Sequence, residues 1–279
     1  MNPLIINLAP TGLTSTQAQS PHLPLSPQRI ADEVDRCAGL GVSMAHLHAR
    51  ELDGAASDDP AIFADIVTRV RARRPDLVVV TTTSGRRSPE IERRASSLYL
   101  EGDAKPDMAS LTLGSINFAA EPNVNPPATI MRLAAIMRER GIKPELEVFD
   151  LGMINFAKVL IDKGLIQPPF YFNILLGSPS GSQLDLIHLG AMIKDLPEQS
   201  VWSLAGIGRF QTRANGLGVV MGHGVRVGLE DNLWLDDERT ALATNAGMVE
   251  RIAAQAAALG RPIATAAQVR GRLGLEPRA

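Results

Sequence analysis

The sequence predicts an α/β protein closed into a (β/α)8 TIM barrel, and three observations lead there. Short apolar runs alternate with amphipathic stretches from one end of the chain to the other. Eight such pairs can be counted. Several of the amphipathic stretches open on a proline preceded by Ser or Asp, the mark of a helical first turn. Alternating strands and helices imply a parallel sheet, and a count of eight favours closure over an open doubly wound sheet. By length alone, 279 residues suggest about two domains, but α/β barrels reach this size as one, so residues 1–279 are read as a single barrel domain.

The strands expected are Leu4–Ala9, Met44–His48, Leu77–Thr82, Met108–Leu113, Glu145–Phe149, Phe170–Leu175, Val201–Ala205 and Gly224–Gly228. Each is a short run of mostly aliphatic or aromatic residues, as befits a strand covered on both faces. The helices expected between and after them are Pro27–Gly39, Pro60–Arg73, Pro89–Leu98, Pro127–Arg140, Met153–Lys163, Gln183–Leu196, Thr212–Val220 and Arg239–Gly260. Ser26 and Asp59 are the clearest caps, each followed at once by Pro.

Composition bounds the function. The chain is 45% hydrophobic and 21% charged, with a formal net charge of -2, so neither nucleic acid nor an anionic membrane is an expected partner. Cys37 is the only cysteine, which excludes an intramolecular disulfide and a cysteine-rich metal site, and it is expected to be a buried, inert thiol. No signal-peptide pattern and no run of about 18 apolar residues is evident, so the expected compartment is the cytoplasm.

The most informative residues are His46 and His48. A spacing of two in a strand puts both imidazoles on one face, and paired imidazoles at a strand end suit a divalent metal. In Gly224-Val-Arg-Val-Gly-Leu-Glu-Asp-Asn232, polar and apolar residues alternate, so Glu230 is expected on the polar face as a third ligand. Two histidines and a glutamate leave a coordination position open for substrate. Arg226 points into the barrel on this pattern and needs a carboxylate, for which Asp231 is the candidate. An Asp held by Arg beside a metal can act as a base towards an acidic C–H or N–H.

Other strand ends are less specific. Thr83 and Ser84 lie in a Thr/Ser run that could equally be a capping turn, and Ser110 lies in the fourth strand. Glu145 and Glu147 share one strand face, and buried carboxylates are expensive unless paired, so at least one is expected to serve the site. Gly206 and Gly208, in Ala205-Gly-Ile-Gly-Arg209, resemble an anion-cradling turn, although a short Gly-x-Gly is weak on its own. His22, His188 and His223 have no comparable partner and are expected to be structural.

Together these residues carry a resemblance to the β-keto acid cleavage enzyme family, whose founding activity is 3-keto-5-aminohexanoate cleavage. The matching segments are Ala9-Pro-Thr-Gly12, Pro24-Leu-Ser-Pro27, His46-Leu-His48, Lys105-Pro-Asp-Met108, Lys143-Pro-Glu-Leu-Glu-Val-Phe-Asp150, Ala205-Gly-Ile-Gly208 and Val225-Arg-Val-Gly-Leu-Glu-Asp-Asn232. The resemblance implies a zinc enzyme, a homo-oligomer with a tetramer favoured, in which a β-keto acid and acetyl-CoA give acetoacetate and a new acyl-CoA. It places the zinc ligands on His46, His48 and Glu230, the Arg–Asp base on Arg226 and Asp231, and substrate contacts on Thr83 or Ser84, Ser110 and Glu147. Gly206 and Gly208 would offer backbone donors to a thioester oxyanion or to the CoA pyrophosphate.

One departure bears on specificity. The founding activity has an acidic residue in the loop after the first strand, where a substrate ammonium is read. Here that loop is Leu13-Thr-Ser-Thr-Gln17, and no Asp or Glu precedes Asp32. An amino-bearing keto acid is therefore not expected; a neutral side chain is favoured, and Arg86-Arg87 keep an anionic one open. Two alternatives stand beside this reading: a metal-dependent amidohydrolase-like hydrolase, and a barrel that binds acyl-CoA or a small acid without turnover.

Overall fold

A computed structural model describes residues 2–86, 88–118 and 121–278. Eight parallel strands close into a barrel: β1 (Ile5–Leu8), β2 (Met44–Leu47), β3 (Val78–Thr81), β4 (Met108–Thr112), β5 (Lys143–Val148), β6 (Phe170–Leu176), β7 (Ser200–Gly206) and β8 (Gly224–Val227). Each pairs with its neighbours in sequence, and β8 returns to β1 in the register Asn7 to Arg226. All eight expected strands are present, within a residue or two of their expected ends.

Helices α1 (Pro27–Ala38) and α2 (Pro60–Arg71) start where Ser26 and Asp59 accept the first free amides, and Pro takes N1. The third helix is shorter than the Pro89–Leu98 expected. One turn of α-helix, α3 (Ile91–Arg94), passes into a 3-10 turn at Ser96–Tyr99, because Glu90 caps nothing and Ser96 turns its hydroxyl to the Asp58 carbonyl. The next helices are α4 (Pro127–Arg140), α5 (Leu151–Asp162), α6 (Leu186–Asp195), α7 (Gln211–Met221) and α8 (Asn245–Ala258). Asp150 and Asp185 cap α5 and α6, which moves the start of α5 earlier, and of α6 later, than the apolar period suggests. The Arg239 start expected for α8 is corrected to Asn245. Asp236 gathers the amides of Thr240 and Ala241 into a turn, and Thr244 makes the cap.

A ninth helix, α9 (Ala266–Leu273), was not expected. It opens on a Thr265/Gln268 capping box and ends at Gly274 in the left-handed region. Its Val269 and Leu273, with Ala264, pack against Ile5, Met44, Val78, Met108 and Val201 and plug the N-terminal end of the barrel. Two short antiparallel pairings, Ala49–Arg50 with Ala56–Ser57 and Ile116–Asn117 with Pro122–Asn123, rise from the opposite rim. Among the described residues, no helix is long and apolar enough to cross a membrane. Cys37 is buried in α1 and free, with burial pushing its thiol pKa up.

Candidate active site

The barrel's C-terminal mouth gathers polar groups from several strands, as the fold requires of a site built at strand ends. His46 lies in β2 and His48 just after it, while Arg226 lies in β8 with Glu230 and Asp231 just beyond. Two glycines let the last loop close on the first. Gly228, at φ +149°, lies against the Ala9 carbonyl, where a Cβ would collide. At Gly12, φ +66°, a Cβ would come 2.7 Å from Glu230 Cγ. Asn245 ties the two loops together, donating to the Pro10 carbonyl and accepting from the Leu229 amide.

His46 Nε2 and His48 Nε2 lie 3.1 Å apart, and Glu230 Oε1 lies 3.1 Å from His48 Nε2 and 3.9 Å from His46 Nε2. A tetrahedral zinc site with bonds of about 2.0–2.2 Å sets its donors about 3.3–3.6 Å apart, so the three separations bracket that spacing. Glu230 Oε2 is buried without a hydrogen-bond partner. Two imidazole nitrogens and a carboxylate oxygen thus fit a divalent cation by type and spacing.

Two of the three ligand candidates are oriented from behind, His46 by Glu145 and Glu230 by Arg226. His46 Nδ1 bonds Glu145 Oε2 at 2.6 Å, which turns its Nε2 towards the cavity. Glu145 in turn accepts from Asn7 and Asn173, both at 2.7 Å. Burial alone would lower the His46 pKa, but Glu145 overrides it and lifts it to about 9. The Glu145 carboxyl is held below its ordinary range: burial opposes ionisation, and His46 outweighs it. His48 has no such acceptor; burial drops its pKa to about 4 and keeps it neutral.

Arg226 is the hub of the second cluster. Its Nε and Nη2 reach Asp231 at 2.9 and 3.2 Å, Nη2 also reaches Glu230 at 2.7 Å, and Nη1 reaches Glu147 at 3.0 Å. Burial would strip its proton, but the three carboxylates hold it well above the ordinary value. Burial raises the pKa of Asp231, with Arg226 pulling it partly back, and that makes it a stronger base than a solvated Asp. Glu147 is raised in the same way and accepts from Thr112 Oγ1 at 2.7 Å.

His46, His48, Glu147, Arg226, Glu230 and Asp231 line one cavity of about 260 Å³, which also meets Ser84, Thr82, Thr112 and Arg86. Thr83 and Ser110 are not on its wall. Thr83 donates its hydroxyl to the Ser110 carbonyl at 2.6 Å and its amide to Ser110 Oγ, so the pair is spent joining two strand ends. Gly206 and Gly208 do not line it either. The Gly208 amide donates to the Asp231 carbonyl at 2.7 Å and the Ile207 amide to Leu176. The expected anion-cradling turn is corrected accordingly: its amides are used within the fold, and Gly208 positions the Asp231 loop. His22 and His188 are exposed, and His223 accepts from the Trp202 amide, away from the cavity.

Sequence reasoning missed the polar floor beneath the site. Asn7, Asn173, Tyr171 and Ser203 form a buried chain with Glu145, Tyr171 Oη lying 2.8 Å from Ser203 Oγ. The available signal was a polar residue inside an otherwise aliphatic strand, as at Asn7 in Ile5-Ile-Asn-Leu8.

A parallel barrel with catalytic-type groups converging at its C-terminal mouth defines a barrel enzyme. The chain belongs to the β-keto acid cleavage enzyme family: the family model described as "beta-keto acid cleavage enzyme" matches residues 3–275. It is 38% identical to the 3-keto-5-aminohexanoate cleavage enzyme of Fusobacterium nucleatum, over 99% of each chain. It is 34% identical to the 3-oxoadipate:acetyl-CoA acetyltransferase of Cupriavidus necator, over 98% of this chain and 95% of that one. Among solved structures, ObcA in its apo form superposes with a TM-score of 0.75 at 22% identity, covering 92% of this chain and 66% of that one. That similarity speaks for the fold. The family match sets aside both the hydrolase and the binding-only alternatives.

Proposed function

We propose that this enzyme exchanges acyl groups between a β-keto acid and acetyl-CoA, giving acetoacetate and a new acyl-CoA, with His46, His48 and Glu230 holding zinc. The observation that carries this reading is the convergence of those three donors on one cavity with Asp231, a buried base held by Arg226. The relatives' names, an acetyl-CoA acetyltransferase among them, point the same way. Bound zinc would supply Lewis-acid polarisation of the keto acid's carbonyl oxygen.

The chain's own residues would do the rest. Asp231 removes a proton from C2, between the keto and carboxylate carbons, and its raised pKa suits it to that task. The C2 carbanion attacks the thioester carbonyl of acetyl-CoA, and CoA thiolate leaves. The thiolate then attacks the C3 carbonyl of the adduct, the C2–C3 bond breaks, and Asp231 returns its proton to the acetoacetate carbanion. Arg226 holds the Asp231 carboxylate in place, and Ser84, Thr82, Thr112 and Glu147 offer polar contacts on the wall.

Mass spectrometry of zinc-loaded protein with acetyl-CoA and a panel of β-keto acids tests this, with metal content measured on the same sample. Acetoacetate plus one matching acyl-CoA is the expected result; a diverse panel without acyl exchange would refute it. We also read the chain as a homo-oligomer, with a tetramer favoured. Leu186, Ile187, Val220 and Met221 are 69, 80, 56 and 60% exposed, an apolar surface suited to a second copy. Light scattering on the eluting protein would decide it, a monomeric mass ruling against.

A further inference from the structure

Several buried arginines fork onto acceptors. Arg94 donates to the Thr83 carbonyl and to Asn125, Arg261 to the carbonyls of Asn2, Val219 and Gly222, and Arg270 to Asp107 and the Asp76 carbonyl. Arg86 differs. It is partly buried on the cavity wall, its guanidinium carbon 3.6 Å from the centroid of the Phe118 ring, and among the described residues no carboxylate pairs with its side chain. Burial pulls its pKa below the ordinary value. The carboxylates that act on it from further off are engaged: Glu230, Glu147 and Asp231 with Arg226, and Glu121 is not without a partner of its own.

A guanidinium stacked on a ring keeps its N–H donors, which lie in its plane, available to an anion. The Phe118 contact also limits how that plane can turn, so less freedom is lost when a ligand binds. A planar fork of donors matches a carboxylate in two parallel hydrogen bonds. We propose that Arg86 binds a second carboxylate at the far end of the keto acid, so that the substrate class is β-keto dicarboxylic acids. The assignment rests on the reaction proposed above and selects the anionic side chain over the neutral one favoured from sequence. Arg87, the other residue of that expectation, lies outside the described residues.

The test compares 3-oxoadipate with 3-oxohexanoate, of equal chain length but lacking the second carboxylate, on the zinc-loaded enzyme with acetyl-CoA. The expected result is a preference for 3-oxoadipate in kcat/KM of at least about tenfold, lost in Arg86→Met and partly kept in Arg86→Lys. No preference in the parent enzyme, or a preference unmoved by Arg86→Met, overturns the proposal. A rise confined to the KM of acetyl-CoA overturns it too, since the guanidinium would then serve the CoA phosphates. If neither acid turns over, the reaction itself is judged by the wider keto acid panel, and Arg86 by calorimetric titration with adipate and hexanoate. Tighter adipate binding that Arg86→Met removes keeps the assignment, and equal binding ends it.

Discussion

The inner face of the barrel divides into two storeys drawn from the same strands. Residues two apart on a strand face the same way, and along β1, β2, β6 and β7 the lower of each pair is apolar or aromatic and the upper polar. The pairs are Ile5 and Asn7, Met44 and His46, Tyr171 and Asn173, and Val201 and Ser203. Below, stability comes from transfer of apolar surface out of water, with α9 as the plug. Above, every buried polar group brings a desolvation cost that only its partners offset. The lower storey therefore tolerates changes that preserve volume, and the upper storey tolerates only changes that preserve charge and hydrogen bonding.

The comparison breaks first at Asp231. Asp231→Asn keeps the size and an acceptor for Arg226 but removes the base, so kcat should fall about 10²–10⁴-fold in steady-state assays. Metal content should stay at the parent level; a variant that loses both metal and activity would make Asp231 a structural support. In the parent enzyme the acid limb of kcat/KM should lie above the ordinary Asp value of 3.8, because burial raises this carboxyl against the pull of Arg226. Arg226→Met should then cost about 3–5 kcal/mol in urea denaturation, since it leaves Glu147, Glu230 and Asp231 buried without their cation. A loss below about 1 kcal/mol would show that water or the metal, not Arg226, carries that cluster.

The two storeys were not equally legible in the sequence. The strands were, because a short, nearly continuous apolar run and a proline-opened helix are local patterns, and so was the His46/His48/Glu230 convergence, because barrel closure fixes β8 beside β1. Thr83 and Ser110 were harder: neighbouring residues on a strand end face opposite ways, and no local pattern shows that Thr83 turns to the Ser110 carbonyl while Ser84 meets the cavity. Gly206 and Gly208 looked like free donors until the fold showed their stretch of amides bonded to Leu176 and Asp231. The Asn7–Glu145–Asn173 chain joins Asn7 to a carboxylate 138 positions away across the barrel, a contact that no local pattern shows. α9 was written in its Thr265/Gln268 cap and Gly274, signals stronger than the weak apolar period between them.

The lower storey gives the next effect in size. Leu273→Ala, in the plug, should cost about 2–5 kcal/mol by denaturant titration while kcat/KM of the folded enzyme stays within about threefold of the parent. A collapse of activity at unchanged stability would mean that the plug communicates with the mouth.

The smallest effect is expected where the storeys meet, at Tyr171, whose ring packs in the apolar layer and whose hydroxyl touches Ser203 and Asn7. Tyr171→Phe removes one hydroxyl and leaves Ser203 Oγ buried without its partner, at a cost of about 1 kcal/mol. Adding Ser203→Ala removes the stranded group as well, so the double variant should be no less stable than Tyr171→Phe alone. Asn7 keeps its 2.7 Å bond to Glu145 in both, so His46 should stay oriented and metal affinity unchanged. If the double variant instead adds the full cost of both changes, Ser203 has a partner other than Tyr171. If metal affinity falls, the chain from Tyr171 through Asn7 and Glu145 is a positioning device for His46, and the boundary between the two storeys lies one layer lower, below Tyr171.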